Sequence, residues 1–589
     1  MAGRGARVRR FLLGQSNILL AGLTILAAAS LVAEYGFFLS ESWLAATRLA
    51  NIVVLYGFLL YVLLKIVLVY GRVMYVRRHR LEIFLGGIIL LHLLFPGTVA
   101  TISQSIYPAV APEIVTRVYL VLTQLFVVAA LIPAASRYSN RLMTTAIHPS
   151  ALIAASFLLL ILGGTLLLLL PKATNGPPLA LVDALFTAAS AVCVTGLTVV
   201  DTAGTFSQTG HVILLLLIQI GGLGIMTLTT FFAFFAGDHA SLKQYSTLQS
   251  LVGEESFGKI RRTVVLIGLM TLTIELAGAG ALWVFLGGHP FSSEPDRLFF
   301  SVFHAVSAFC NAGFALTSDN LAADFLHQNT GVLVSIMGLI VLGGLGFPVI
   351  LSLTRLLRLP WQRKRRQRFP LHARLVLFAT GFLILAGTAG LFFLEQDHSM
   401  AAMPAGERLL ASAFHSVSSR TAGFNTINMG AFGLPALLLL MGLMWIGASP
   451  GSTGGGVKTT SFVVAVLAIR AFVSGRDNIE VHRHRIPASS LLQAFCTVTL
   501  SFLVIGCSSF VLLLTENAPF HALLFEVVSA LGTVGLSTGI TPGLTSPGKL
   551  VIVATIFTGR IGVLALVLAF TRRRVHGRFE FTEEKVYIT

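Results

Sequence analysis

Four stretches of this chain carry one arrangement of residues suited to holding a bare cation. They are Asp183–Thr202 (DALFTAASAVCVTGLTVVDT), Leu298–Asp319 (LFFSVFHAVSAFCNAGFALTSD), Leu410–Asn428 (LASAFHSVSSRTAGFNTIN) and Leu524–Gly543 (LFEVVSALGTVGLSTGITPG). Each has a Phe, a Ser four residues on, and a cluster of small residues ending in one glycine: Gly196, Gly313, Gly423 and Gly535. The glycines are 117, 110 and 112 residues apart, and the Ser-to-Gly step is six residues in three copies and five in the third. A fixed period of this kind marks a tandem repeat and decides the fold. Glycine tolerates positive φ and puts no side chain into a lumen, so backbone carbonyls beside it can replace the hydration shell of an ion. The residues expected to supply those carbonyls are Val194 and Thr195, Asn311 and Ala312, Thr421 and Ala422, and Thr533 and Val534, each pair ahead of its glycine. One such glycine is ordinarily a tight turn; four in phase point to a shared axis. Asp201 and Asp319 follow their glycines and would either concentrate cations at a mouth or solvate a loop.

These segments need a scaffold, and composition supplies its class. Of 589 residues 55% are hydrophobic and 11% are charged, against about 25% charged in a soluble domain. The chain is therefore predicted to be an all-α, polytopic protein whose partner is the lipid bilayer. The net charge of +17 does not call for nucleic acid. The basic residues cluster in short loops between apolar runs, at Arg72, Arg77, Arg78 and Arg80, at Lys259, Arg261 and Arg262, at 363–366, at Arg483 and Arg485, and at 572–574, as cytoplasmic loops do. Cys193, Cys310, Cys496 and Cys507 have no metal-ligand spacing and read as apolar fillers. The basic start MAGRGARVRR precedes an apolar run too long for a cleaved leader.

Runs of about 20 apolar residues span a bilayer. The first 148 residues contain four, near 11–39, 46–70, 82–101 and 114–136, which form an N-terminal extension. The repeats follow at 149–240, 241–358, 359–475 and 476–575, with a tail at 576–589. Each repeat reads as helix, short segment, helix. The first helices are expected near 149–170, 263–286, 373–394 and 488–514, and the second near 211–236, 331–355, 434–472 and 548–571. The charge bias puts all four glycine segments outside and both termini in the cytoplasm. A short helix carrying Phe186, Phe303, Phe414 or Phe525 near its start would precede each glycine and aim its negative carbonyl end at the axis.

Two further features fit a water-lined pore. Gly451, Ser452, Thr453, Gly454, Gly455 and Gly456, with Lys458 close behind, interrupt the second helix of the third repeat, because interior glycines each cost about 1 kcal/mol against alanine. Arg560 falls within the last apolar stretch, where a cation is expensive and by default functional. The glycines and Lys458 superficially suggest a phosphate loop, but Gly-Val-Lys stands where Gly-Lys is needed and no strand precedes it.

The segments VCVTGLT, FCNAGF, RTAGFNT and TVGLSTG resemble the four filter segments of the Ktr/Trk/HKT superfamily of potassium transporters, and are most similar to the bacterial KtrB-type and TrkH-type membrane subunits. The resemblance covers about 149–575. It implies four helix–pore-loop–helix repeats around a central pore, K+ as the transported ion, and Val194–Gly196, Asn311–Gly313, Thr421–Gly423 and Thr533–Gly535 as the filter. It also implies that 447–460 (GASPGSTGGGVKTT) forms an intramembrane gating loop contacted by Arg560. Homodimers with one pore per protomer, a bacterial inner-membrane location and a cytoplasmic KtrA/TrkA-like nucleotide-binding regulatory subunit are implied as well. Nucleotide would then act only through that partner, with no covalent cofactor. The N-terminal extension departs from the family pattern. Lys65 and Arg117 within it read as interfacial cations or sensors.

The residues leave alternatives. A Na+ or unselective cation pathway uses the same fold. An ion-coupled transporter would show inverted repeats and intramembrane carboxylates; the repeats here are parallel, with Glu275 and Glu526 the obvious acids. Glu526 occupies the position of His304 and His415 in their copies and reads as packing. No HExxH or GxSxG motif supports an enzyme. Arg420, directly before Thr421, is expected to turn from the axis and pair with a carboxylate.

Overall fold

The computed structural model describes residues 2–68, 76, 80–94, 149–236, 257–289, 291–358, 370–476, 478–481 and 484–571. The N-terminal part holds α1 (Ala2–Gly36), α2 (Glu41–Leu68) and α3 (Arg80–Leu94). The expected span at 114–136 and Arg117 lie outside the described residues, as do the tail and much of the basic loops. Helices α1 and α2 pack as a hairpin along buried Leu20, Leu23, Ala27, Val54, Phe58 and Val62. Ser30 donates to Asn51 Oδ1 (2.6 Å) and Asn51 donates to Glu34 Oε2 (3.1 Å) within that seam. Lys172 donates to Glu34 O (2.8 Å), which ties the hairpin to the following part of the chain. Lys65 sits 5.5 Å from the Tyr61 ring centroid.

A recurring element order follows. First come α4 (Pro149–Leu168), the short α5 (Leu181–Val192) and α6 (Gln208–Ala236). The second set is α7 (Phe257–Phe285), the short α8 (Glu294–Cys310), and α9 (Thr330–Leu345) continued by α10 (Phe347–Arg358). The third is α11 (Leu371–Leu394), α12 (Ala405–Ser418), α13 (Leu434–Trp445) and α14 (Thr459–Val473). The fourth is α15 (Ala488–Thr515), α16 (Phe520–Gly532), and α17 (Ser546–Ile561) continued by α18 (Val563–Phe570). A two-residue hairpin pairs Glu480 with Arg485 between the third and fourth sets. Among the described residues, six helices are long and apolar enough to cross a membrane, or up to eight if each bent pair counts once.

Local chemistry sets the helix starts. Ser293, Asn329 and Thr545 cap α8, α9 and α17 by accepting from Asp296 N, Val332 N and Gly548 N, each satisfying an N–H that has no partner in the first turn.

Two expected second helices are not single straight rods. The chain turns by 103° between α9 and α10 and by 93° between α17 and α18. The corners are Gly346 (φ +86°) and Gly562 (φ +92°), a backbone region open to glycine and closed to other residues. A lone glycine in an apolar run carries no mark of such a turn. The Phe residues expected near the short-helix starts lie further in: Phe186, Phe303, Phe414 and Phe525 are mid-helix and fully buried. Here the helices extend upstream of the apolar cluster. The core is centred on these short helices: α5, α8 and α16 each pack between long helices of their own set, and α12 packs against α11 of its own set and α9 of the second.

Candidate functional site

The short helices end where the glycine segments begin. Their C-caps are Cys193, Asn311, Ser419 and Thr533. Two residues before each glycine the backbone is left-handed, at Val194 (φ +48°), Asn311 (+60°), Thr421 (+79°) and Thr533 (+50°), and the glycines are left-handed too, at Gly196 (+90°), Gly313 (+69°), Gly423 (+78°) and Gly535 (+98°). For β-branched Val and Thr this conformation is an outlier costing about 1–3 kcal/mol each, and it persists only where the surroundings impose it.

The motif serines impose it. Their carbonyls accept from the loop N–H groups: Ser190 O from Thr195 N (2.8 Å), Ser307 O from Ala312 N (2.7 Å), Ser418 O from Ala422 N (2.9 Å) and Ser529 O from Val534 N (2.9 Å). Their hydroxyls brace the same turn. Ser190 and Ser529 accept from Gly196 N and Gly535 N, at 3.1 and 3.0 Å, and Ser307 donates to Phe314 O (2.8 Å). Ser418 donates to Phe424 O.

The four segments close a ring. A Cβ placed on Gly196 would lie 2.5 Å from Ala312 O and 3.0 Å from Gly313 Cα; one on Gly313 would lie 2.6 Å from Ala422 O and 3.1 Å from Gly423 Cα. On Gly423 it would meet Val534 O and lie 3.0 Å from Gly535 Cα, and on Gly535 it would meet Thr195 O and lie 3.0 Å from Gly196 Cα. Each glycine thus abuts the carbonyl ahead of the next glycine, in chain order, and the fourth returns to the first. No larger residue fits without displacing backbone.

The glycine-rich loop sits on the side of this ring where the short helices end. It has no helix between Trp445 and Thr459, but it is hydrogen-bonded rather than slack. Gly455 N donates to Thr533 Oγ1 (3.0 Å) and Thr453 Oγ1 donates to Phe309 O (3.1 Å). Ser449 N donates to Gly344 O, Thr453 N to Gly343 O and Phe347 N to Gly451 O. A side chain on Gly454 would strike the Thr421 hydroxyl. Two cations hold successive loop carbonyls: Lys458 donates to Gly454 O (2.7 Å), and Arg560 donates to Thr453 O and to Gly221 O. Arg560 is 2% exposed, and its guanidinium stands 5.7 Å from the Phe157 ring centroid.

The remaining expected residues fall as follows. Among the described residues no carboxylate pairs with Arg420, contrary to expectation; it donates to Gly447 O (3.3 Å) and Thr380 O (3.5 Å). The helix break at Gly447 frees a carbonyl within its reach, which serves in place of the acid. The Asn311 amide meets Thr421 Oγ1 at 3.0 Å. Asp201 caps the turn at 202–205 by accepting from Ala203 N and Gly204 N, and accepts from Ser318 Oγ. Asp319 begins a 3-10 turn at Asn320–Ala322 without a side-chain cap. Glu275 on α7 accepts from Gln219 Nε2 (3.3 Å) and faces Cys310 Sγ (3.9 Å). Glu526 is hydrogen-bonded rather than merely packed: it accepts from Ser537 Oγ (2.6 Å), Thr538 N (3.1 Å) and Thr541 Oγ1 (2.8 Å). The four cysteines are free. Among the described residues no group of three His, Cys, Asp or Glu could hold a metal.

Comparison with known proteins agrees with this architecture. Residues 120–578 match the TrkH family, described as a cation transport protein. The chain is 38% identical over 399 residues to Ktr system potassium uptake protein B of Vibrio alginolyticus, covering 67% of this chain and 85% of that protein. It is 36% identical over 456 residues to potassium/sodium uptake protein NtpJ of Enterococcus hirae, covering 75% and 97%. The fold matches the crystal structure of the potassium transporter TrkH from Vibrio parahaemolyticus with a TM-score of 0.59 at 18% identity, over 82% of this chain and 97% of that one. With a family match over most of its length, this multi-pass membrane protein belongs to the TrkH family of cation transport proteins.

Proposed function

We propose that the chain is the K+-translocating subunit of a Trk/Ktr-type potassium uptake system. The carrying observation is the closed ring of glycines and carbonyls, in which Thr195 O, Ala312 O, Ala422 O and Val534 O each abut the next segment's glycine. In this reading Val194–Gly196, Asn311–Gly313, Thr421–Gly423 and Thr533–Gly535 form the filter. Carbonyls held by the serine braces replace the ion's water without reorganising when it arrives. The short-helix carbonyl ends add negative potential at the same place. The units at 149–240, 241–358, 359–475 and 476–575 each contribute a quarter of the ring, with 1–148 preceding them.

The loop at 447–460 is the gate. Gly454 and Gly455 lie against Thr421 and Thr533, and Lys458 and Arg560 hold it there through its own carbonyls. The protein works as a homodimer with one pore per protomer, in a bacterial inner membrane with both termini cytoplasmic. A cytoplasmic nucleotide-binding subunit would displace the loop. The relatives' named roles in potassium uptake support this reading. The protein is a transporter and no reaction is assigned to it.

Uptake of 86Rb+ into proteoliposomes, with K+ and Na+ as competitors, is the test. Block by K+ at far lower concentration than by Na+ is expected. Equal block would favour an unselective pathway, a reading to which the potassium/sodium name of the Enterococcus hirae relative lends weight. Deleting 451–456 should raise flux if the loop is a barrier; a fall in flux from folded protein would assign the loop a conducting role instead.

A further inference from the structure

We infer that Glu526 is a positioning residue for ion selection: it buckles the outer stretch of the fourth segment to its short helix and so fixes the height of that quarter of the ring. The inference rests on the filter reading above and extends it to a residue outside the ring.

The four equivalent positions make the argument. Nine residues before the glycine stand Thr187, His304 and Glu526, and eight before it in the third copy stands His415. In the fourth and second copies, the backbone N–H three residues after the glycine faces this position. In the fourth copy Thr538 N donates to Glu526 Oε1 (3.1 Å), Ser537 Oγ donates to the same oxygen (2.6 Å), and Thr541 Oγ1 donates to Oε2 (2.8 Å). In the second copy Leu316 N donates to His304 Nε2 at 3.4 Å, while Nδ1 contacts Phe300 O. In the third, His415 Nε2 is buried without a partner. In the first, Thr187 Oγ1 turns back to donate to Asp183 O. Helix and outer stretch are therefore tied firmly in the fourth copy, loosely in the second, and not by this position in the others.

Glu526 is fully buried and both its oxygens are spent on the stretch 537–541. A buried carboxylate is retained only when its lone pairs are filled, and here every donor that fills them belongs to one loop. That loop leaves Gly535 directly, and Gly535 abuts both Thr195 O and Gly196. The buckle therefore sets the spacing between the fourth and first carbonyls. Among the described residues the first segment has no such tie at this position; Ser190 braces its turn, and the fourth segment bounds it on one side.

The test compares K+/Na+ discrimination, read as the ratio of Na+ to K+ concentrations that halve 86Rb+ uptake. Glu526→Gln keeps an acceptor for Ser537 and Thr538 and should hold the ratio to within about threefold, the loss of less than one hydrogen bond. Glu526→Leu fills the space but accepts nothing and should narrow the ratio by about tenfold or more, reflecting more than one lost hydrogen bond. Ser537→Ala removes one donor without touching the short helix and should narrow the ratio by about fivefold, one hydrogen bond's worth; it decides the matter if Glu526→Leu does not fold. Folded Ser537→Ala and Glu526→Leu proteins with the parent ratio would overturn the buckle. Gly196→Ser, run alongside, separates the two readings: a changed ratio there with unchanged buckle variants refutes only the buckle, while an unchanged ratio in all of them refutes the filter itself.

Discussion

At Gly196 the absent side chain is an element of the ring's structure, because the space a Cβ would fill belongs to Ala312 O and Gly313 Cα. Gly196→Ser should therefore displace one quarter of the ring and relax the preference for K+ over Na+, by about tenfold if roughly 1.4 kcal/mol of discrimination is lost; an unchanged competition ratio in 86Rb+ uptake would remove Gly196 from the filter. Arg560 works on the other side of the ring. Its bonds to Thr453 O and Gly221 O are charge-assisted, and such bonds contribute about 1.5–3 kcal/mol each. Arg560→Gln should lower the cost of moving the loop and raise unstimulated uptake by about tenfold or more, since every 1.4 kcal/mol is a factor of ten in population. If Arg560→Gln leaves basal flux as it was, the loop is not held by this residue.

Among the elements, the loop and the two bent helices carry separate expectations. Thr453 Oγ1 ties the loop to Phe309 O at the end of α8 (3.1 Å). Thr453→Val keeps the shape and removes one bond of about 1 kcal/mol, so basal uptake should rise about fivefold, half the effect expected of Arg560→Gln or less. The corners at Gly346 and Gly562 test the bends. Gly562 has open space around its Cβ position but φ +92°, so Gly562→Ala should cost only the backbone term of about 1–3 kcal/mol. Gly346→Ala adds a contact 2.7 Å from Pro450 O and should lower the melting temperature further in detergent. Equal shifts for the two would mean that α9 and the loop do not touch as described. The same elements show what the sequence could and could not disclose. The four glycine segments were legible because their cause is local: a serine a few residues upstream and a glycine at positive φ leave the same spelling four times. The break at 446–458 was legible because glycines crowd there. The corners were not, since one glycine in an apolar run spells a helix as readily as a turn. Nor were the partners of Arg420 and Glu526, which are carbonyls, hydroxyls and a backbone N–H brought in by folding rather than charged residues that announce themselves.

The whole molecule is a ring written as one chain, and its closure is visible at two levels. At the centre Gly535 meets Thr195 O; at the outer edge Lys549 Nζ lies 2.6 Å from Asp183 Oδ1, across 366 residues of sequence. Both side chains of that pair are largely buried, at 13% and 23% exposure, so a double-mutant cycle with Lys549→Met and Asp183→Asn should return a coupling near 1 kcal/mol, the upper end for pairs in contact with solvent. A coupling of zero would leave closure between the last unit and the first to the central contact, to Arg560 with Gly221 O, and to the packing of their helices. Covalent linkage also lets each quarter differ, as Thr187, His304, His415 and Glu526 do at one shared position, which four identical subunits could not arrange.

Closure at the far end of the chain has a consequence for how the protein is made. A ribosome adding about 5–20 residues each second needs roughly 20–70 s to travel from the first ring segment to the lysine that seals the circle. Throughout that interval Thr195 O lacks its fourth-segment neighbour, and a backbone carbonyl left facing hydrocarbon costs several kcal/mol. A nascent protein of this design is expected to need lipid kept away from a three-sided circle until its last quarter arrives, and a truncation before residue 535 should leave that circle open.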